Sequence, residues 1–138
     1  MNTDSLIICL KLAALGQFIL AVLSVFLPRL LDWKKPIEAM PLLVREVFLI
    51  HARFIALTLV IFGTLTWRFA RDLASGSHDF LRWFACGAGF FWALRCVMQW
   101  THYSTGHWRG IPSRTAIHWI VFLSYGAFAA TYLTAGFK

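Results

Sequence analysis

Four of the five histidines, His51, His102, His107 and His118, fall toward one end of the long apolar runs of this chain. With Arg45, Glu46, Arg53, Arg95 and Gln99 they are the residues whose types could do chemistry. Imidazole serves both divalent metals and haem iron, and two imidazoles at one depth in a helical bundle meet the demand of bis-His ligation. His51 and His118 fit that depth requirement, and Arg45 or Arg114 would then meet the propionates of a b-type haem. His102 and His107 extend the set of candidate metal ligands. Helical spacing groups these residues further: Arg95, Gln99 and His102 stand at i, i+4 and i+7, with Trp92 above them. His51 shares a stripe with Phe48, Ile55 and Thr58, and His118 continues to Phe122, Tyr125 and Tyr132. Three helices can therefore aim polar groups at one pocket.

The charges sharpen this expectation. Lys11, Arg53 and Arg95 lie within apolar runs, where Glu46 is the only carboxylate. Lys11 is near enough to a span end to snorkel. Arg53 is about 13 Å deep at 1.5 Å per residue, and a cation at such depth costs about 2.5–3.5 kcal/mol unless paired. Glu46 can neutralise Arg53 along its own helix or Arg95 across a helix pair, but hardly both. One cation then calls for an external anion: a lipid phosphate, a fatty-acid carboxylate, a haem propionate or an acidic residue of a partner subunit. The plainer readings stand beside these. His51 and His118 can simply hydrogen-bond between helices, the arginines can pair within the chain, and His102 and His107 can be ordinary interfacial residues.

The elements that must position these groups follow from composition. Of 138 residues, 59% are hydrophobic and 14% charged, against about 45–50% and about 25% in ordinary globular domains. A domain this small cannot hide that excess. A soluble nucleic-acid binder is excluded, despite 13 Lys+Arg against 6 Asp+Glu. Four runs, Ser5–Leu27, Val44–Phe69, Phe80–Trp100 and Thr115–Phe137, reach the length of about 20 residues that spans a bilayer. Each must be helical, because a lone strand leaves backbone groups unpaired in lipid. The expected fold is all-α: one up-down-up-down four-helix membrane bundle forming a single domain. The first run is read as a true span and not a cleavable signal, since Lys11 lies inside it and no A-x-A-like site follows before Pro28.

An even number of spans puts both termini on one face with the loop Ala70–Asp79. The segment Pro28–Leu43 and the loop Thr101–Arg114 lie on the other. Arg29, Lys34, Lys35, Arg45, Arg109 and Arg114 on that second face outnumber Arg68, Arg71, Arg82 and Lys138 on the first. The positive-inside rule then makes the second face cytoplasmic and the termini periplasmic. The stretch Arg29–Leu43, broken by Pro36 and Pro41, reads as chain lying along the headgroups. Tryptophans near the span ends, such as Trp33, Trp67, Trp100 and Trp119, read as an aromatic belt. Ala85, Gly89 and Ala93 form a small-xxx-small stripe, read as intrachain helix packing, with Gly126 and Ala130 a shorter version.

Several chemistries are excluded by what is missing. Cys9, Cys86 and Cys96 form no C-x-x-C pair, which membrane thiol oxidoreductases need. The closely spaced histidine boxes of membrane desaturases are absent, as are H-E-x-x-H, G-x-S-x-G and Walker motifs. The first span carries Lys11 where small multidrug exporters use an acid.

Two elements carry a resemblance. Arg45, Glu46, Phe48 and His51 form an Arg-Glu-x-Phe-x-x-His pattern, and Phe91, Trp92, Arg95 and Gln99 a Phe-Trp-x-x-Arg-x-x-x-Gln pattern, with His118 early in the last run. In these the chain resembles a group of small uncharacterised bacterial four-span inner-membrane proteins. The resemblance covers most of the chain. It implies the fold, a bacterial inner-membrane location and these positions, and it carries no activity.

The expected role is accessory rather than enzymatic. It is a binding subunit that holds a lipid-like or anionic ligand in a His/Arg pocket near one membrane face, docks on a larger membrane complex, or forms a homo-oligomer. The enzyme-class alternative is a small redox subunit carrying a b-type haem, a divalent metal or a quinone. Proton or ion transport is the remaining alternative, and one intramembrane carboxylate makes a poor relay for it.

Overall fold

The computed structural model describes residues 2–30, 32–102, 106, 110 and 112–138. The described residues are 89% helical and contain six helices and no strand. In chain order these are α1 (Thr3–Leu30), α2 (Lys34–Glu38), α3 (Leu42–Arg68), α4 (Ala70–Ser75), α5 (Asp79–Thr101) and α6 (Pro112–Gly136). Four of them, α1, α3, α5 and α6, are long and apolar enough to cross a membrane. The fold is all-α, and the protein is a multi-pass membrane protein. Each long helix starts one to three residues before the apolar run read from the sequence.

The helix ends follow from local chemistry. Asn2 caps α1, its Oδ1 accepting the Ser5 backbone N–H at 2.8 Å. At the far end Asp32 adopts φ +50°, and the N–H groups of Trp33 and Asp32 donate to the carbonyls of Pro28 and Arg29 at 2.9 and 3.3 Å. This is the six-to-one and five-to-two pairing that closes a helix around a left-handed residue. Pro28 sits only two residues before the end of α1, so its missing N–H disturbs little of the helix. Pro112 opens α6 at a position where no donor is needed. The short helices α2 and α4 lie in the two connections that the sequence marked only as interfacial chain or loop. Gly76, with φ +66°, ends α4.

The chain divides into two compact units, Met1–Ala13 with Phe69–Lys138, and Ala14–Arg68. In the first unit α5 and α6 run antiparallel along their whole lengths. A Cβ added at Gly136 would meet Cys86, and one at Gly89 would meet Leu133. Trp92 meets Phe128 edge-on, Cys96 Sγ donates to the Phe122 carbonyl at 3.6 Å, and Gln99 meets His118. The small residues Ala85 and Gly89 are thus buried in this intrachain seam, as expected, whereas Ala93 is half-buried and Ala130 exposed. Without a hydrophobic drive between helices in lipid, such close van der Waals packing is what holds two spans together. The α4 helix packs against both. Lys138 Nζ donates to the Ala74 carbonyl and to Thr3 Oγ1, both at 3.2 Å, joining the start of α1 to the end of α6.

In the second unit α3 buries Ala56, Leu59, Gly63 and Thr66, a narrow stripe at spacings of three and four. A Cβ at Gly63 would come within 2.9 Å of the Phe18 ring and 3.2 Å of the Ala14 carbonyl. Around these stripes large apolar side chains such as Leu12, Val22, Phe54, Leu57, Phe90 and Leu123 are exposed, the surface a bilayer requires and water would not tolerate.

Candidate functional site

The α5–α6 seam brings together the part of the polar set that its periodicity grouped. Gln99 on α5 and His118 on α6 are buried, 7% and 5% exposed. The Gln99 side-chain amide donates to His118 Nδ1 at 3.2 Å. One turn along α5, the Arg95 guanidinium lies over the Tyr125 ring, 5.2 Å from its centroid. Tyr125 is itself stacked at 5.2 Å on Trp92, which is fully buried and also meets Phe128 edge-on at 4.8 Å. A cation on an aromatic face gains about 0.5–2 kcal/mol, more as water is removed. Arg95 therefore has a fixed place in the seam while staying half-exposed.

An apolar cavity of about 490 Å³ opens at the same end of the seam, lined by Cys96, Val97, Trp100, Thr101, Trp119 and Phe122. Three of its walls form an aromatic cluster, with Trp100, Trp119 and Phe122 ring centroids 5.7–5.8 Å apart. At its rim the Thr101 hydroxyl donates to the Val97 carbonyl at 3.0 Å and accepts from His102 Nδ1 at 2.8 Å. Trp92, Tyr125 and the aromatic cluster were read from the sequence as belt or stripe residues. Their role as a platform for Arg95 depends on the register of two helices, which a single helix periodicity does not carry.

The remaining expected residues stand elsewhere. His51 is exposed on α3, and its Nδ1–H donates to the carbonyl of Val47, one turn back, at 2.8 Å. Glu46 and Arg53 are also exposed on α3. Arg82 pairs with Asp79 at 3.6 Å, and among the described residues Glu46 pairs with neither Arg53 nor Arg45. Arg45 is half-buried near the start of α3. His102 is exposed and closes α5, its backbone N–H donating to Met98. His107 lies outside the described residues, as does Arg109. Among the described residues no three His, Cys, Asp or Glu side chains gather in a metal-sized group.

The seam thus offers a cation, an imidazole and an amide along one helix–helix contact, with an apolar, aromatic-walled cavity at the same end of it. Compared with known proteins, the chain matches no family model, no curated protein and no solved structure.

Proposed function

We propose that this chain is an accessory protein of the bacterial inner membrane that holds an amphiphilic, anionic ligand at the α5–α6 seam. The observation that carries the reading is the placement of Arg95, Gln99 and His118 along one seam that borders an apolar cavity of about 490 Å³. A fatty-acid carboxylate or a lipid phosphate supplies the anion for Arg95, and its hydrocarbon fills the space between Trp100, Trp119 and Phe122. Charge-assisted hydrogen bonds to guanidinium are about twice as strong as neutral ones, so the arginine fixes the head while the cavity selects an apolar body. The role is binding rather than catalysis. The cytoplasmic placement of this end of α5 rests on the excess of Lys and Arg in the connections on its side.

The test is mass spectrometry of material extracted from protein purified in mild detergent. An anionic amphiphile should be enriched over the bulk lipid in the parent and depleted in Arg95→Leu and Gln99→Leu. Identical material in all three proteins refutes the reading. A Soret band in the parent that disappears in His118→Ala would replace the amphiphile with a b-type haem.

A further inference from the structure

The connection between α1 and α3 carries a second charged cavity, built from different residues. Arg29 is the next-to-last residue of α1, Lys34 the first of α2 and Arg45 the fourth of α3. Together they line a cavity of about 520 Å³ whose acids are Asp32 and Glu38 and whose apolar walls include Ile37 and Leu49. Ile37 is buried and anchors α2. The elbow is held by backbone bonds: the Trp33 and Asp32 N–H groups close α1, and the Arg45 N–H donates to the Pro41 carbonyl at 3.0 Å.

Two features of the elbow point to a ligand. Among the described residues, none of its three cations forms an ion pair with Asp32 or Glu38, although all five side chains border one cavity. Its depth is also set, because the cations stand where two membrane-spanning helices end, which is the level of the phosphates in a bilayer. Guanidinium matches phosphate oxygens in a two-pronged fork, and Lys and Arg near an anionic membrane surface are drawn to it. Val47, Ile50 and Phe54, on the turns of α3 that follow Arg45 into the membrane, are exposed and continue the site into hydrocarbon.

We propose that this elbow binds the phosphate of an anionic phospholipid, with Arg29, Lys34 and Arg45 around the phosphodiester and the acyl chains running down α3. The phosphate chemistry is shared with free inorganic phosphate. The apolar continuation along α3 favours the lipid, and the experiment separates the two sources.

Delipidated full-length protein in neutral detergent is titrated with short-chain phosphatidylglycerol, with phosphatidylcholine of equal chain length, and with inorganic phosphate. Bound lipid is counted by native mass spectrometry. Phosphatidylglycerol should bind at least tenfold tighter than phosphatidylcholine and be insensitive to millimolar phosphate. Arg45→Gln should weaken it about tenfold or more, the effect of losing one hydrogen bond between charged groups. Arg29→Gln with Lys34→Gln, both at exposed positions, should weaken it likewise, and that pair decides the matter should Arg45→Gln not fold. Arg71→Gln, exposed on α4, should leave it unchanged, which ties the loss to the elbow rather than to net charge. Equal binding of the two lipids, or unchanged binding in the Arg29/Lys34 variant, overturns the proposal. Competition by millimolar phosphate assigns the elbow to a soluble anion and overturns the lipid.

Discussion

The register of the α5–α6 seam, and with it the meeting of Gln99 and His118, depends on Gly89 having no side chain. A Cβ at that position would lie 2.8 Å from Leu133 Cγ and Cδ2 and 3.0 Å from the Leu133 backbone nitrogen, where carbon atoms prefer about 3.5–4.0 Å. The leucine side chain can turn away, but its backbone nitrogen cannot, so α6 must retreat by several tenths of an ångström. Forcing a methyl group into a packed contact costs about 1–3 kcal/mol, against a helix-propensity gain of about 1 kcal/mol for Ala over Gly. Gly89→Ala should therefore be destabilising by up to about 2 kcal/mol. Gly126 on α6 is the internal control. Its added Cβ would meet Cys96 Sγ at an ordinary 3.8 Å, so Gly126→Ala keeps the propensity gain and should be stabilised by about 1 kcal/mol. The two variants change the same residue type to the same replacement in paired helices, and only the space around them differs. Thermal unfolding of both in one detergent, beside the parent, gives the comparison. Gly89→Ala melting as high as Gly126→Ala would refute the claim that this glycine sets the helix separation.

A double-mutant cycle of Gln99→Leu and His118→Leu should give a coupling of about 0.6–1.7 kcal/mol, the range of hydrogen bonds between membrane helices; a value near zero would mean the amide and imidazole do not pair. Asp32→Gly should raise the melting temperature, because a left-handed L-residue costs about 1–2 kcal/mol and Asp32 has φ +50°. The same change removes a carboxylate from the elbow and should tighten its phosphatidylglycerol, and a fall in either would count against the reasoning. Single cysteines replacing Thr3 and Lys138, in a background without Cys9, Cys86 and Cys96, should both be labelled from the same face of the membrane, since Lys138 Nζ reaches Thr3 Oγ1 at 3.2 Å. Labelling from opposite faces would rule that contact out.

The helices were legible in the sequence for a reason that has little to do with propensity. In hydrocarbon every backbone group must be satisfied within its own segment, so a run of about 20 apolar residues leaves one choice of structure. The α5 stripe was legible too. Arg95 and Gln99 stand one turn apart, and in so apolar a helix two polar residues on one side mark the face that turns from lipid. That argument weakens for α3. Its apolar residues surround it on every side and its buried stripe is only Ala56, Leu59, Gly63 and Thr66, so periodicity does not say which way an isolated His51 points. Its imidazole bonds back to Val47 on its own helix, which needs no second helix.

The elbow shows the opposite limit. Arg29, Lys34 and Arg45 share no helical period, and in the sequence they register only as positive charge on one side of the membrane. What gathers them is the chain reversal at Asp32, followed by the anchoring of Ile37. Both are local backbone and packing events that no hydropathy pattern encodes. A positive-inside signal and a phosphate site can thus be the same residues, the first read from their number and the second only from the turn that brings them around one cavity. Spreading the same charges over the connection, for example by inserting three glycines between Asp32 and Trp33, should keep the orientation of the protein and abolish preferential phosphatidylglycerol binding. If binding survives the insertion, charge alone attracts the lipid and the elbow geometry contributes nothing.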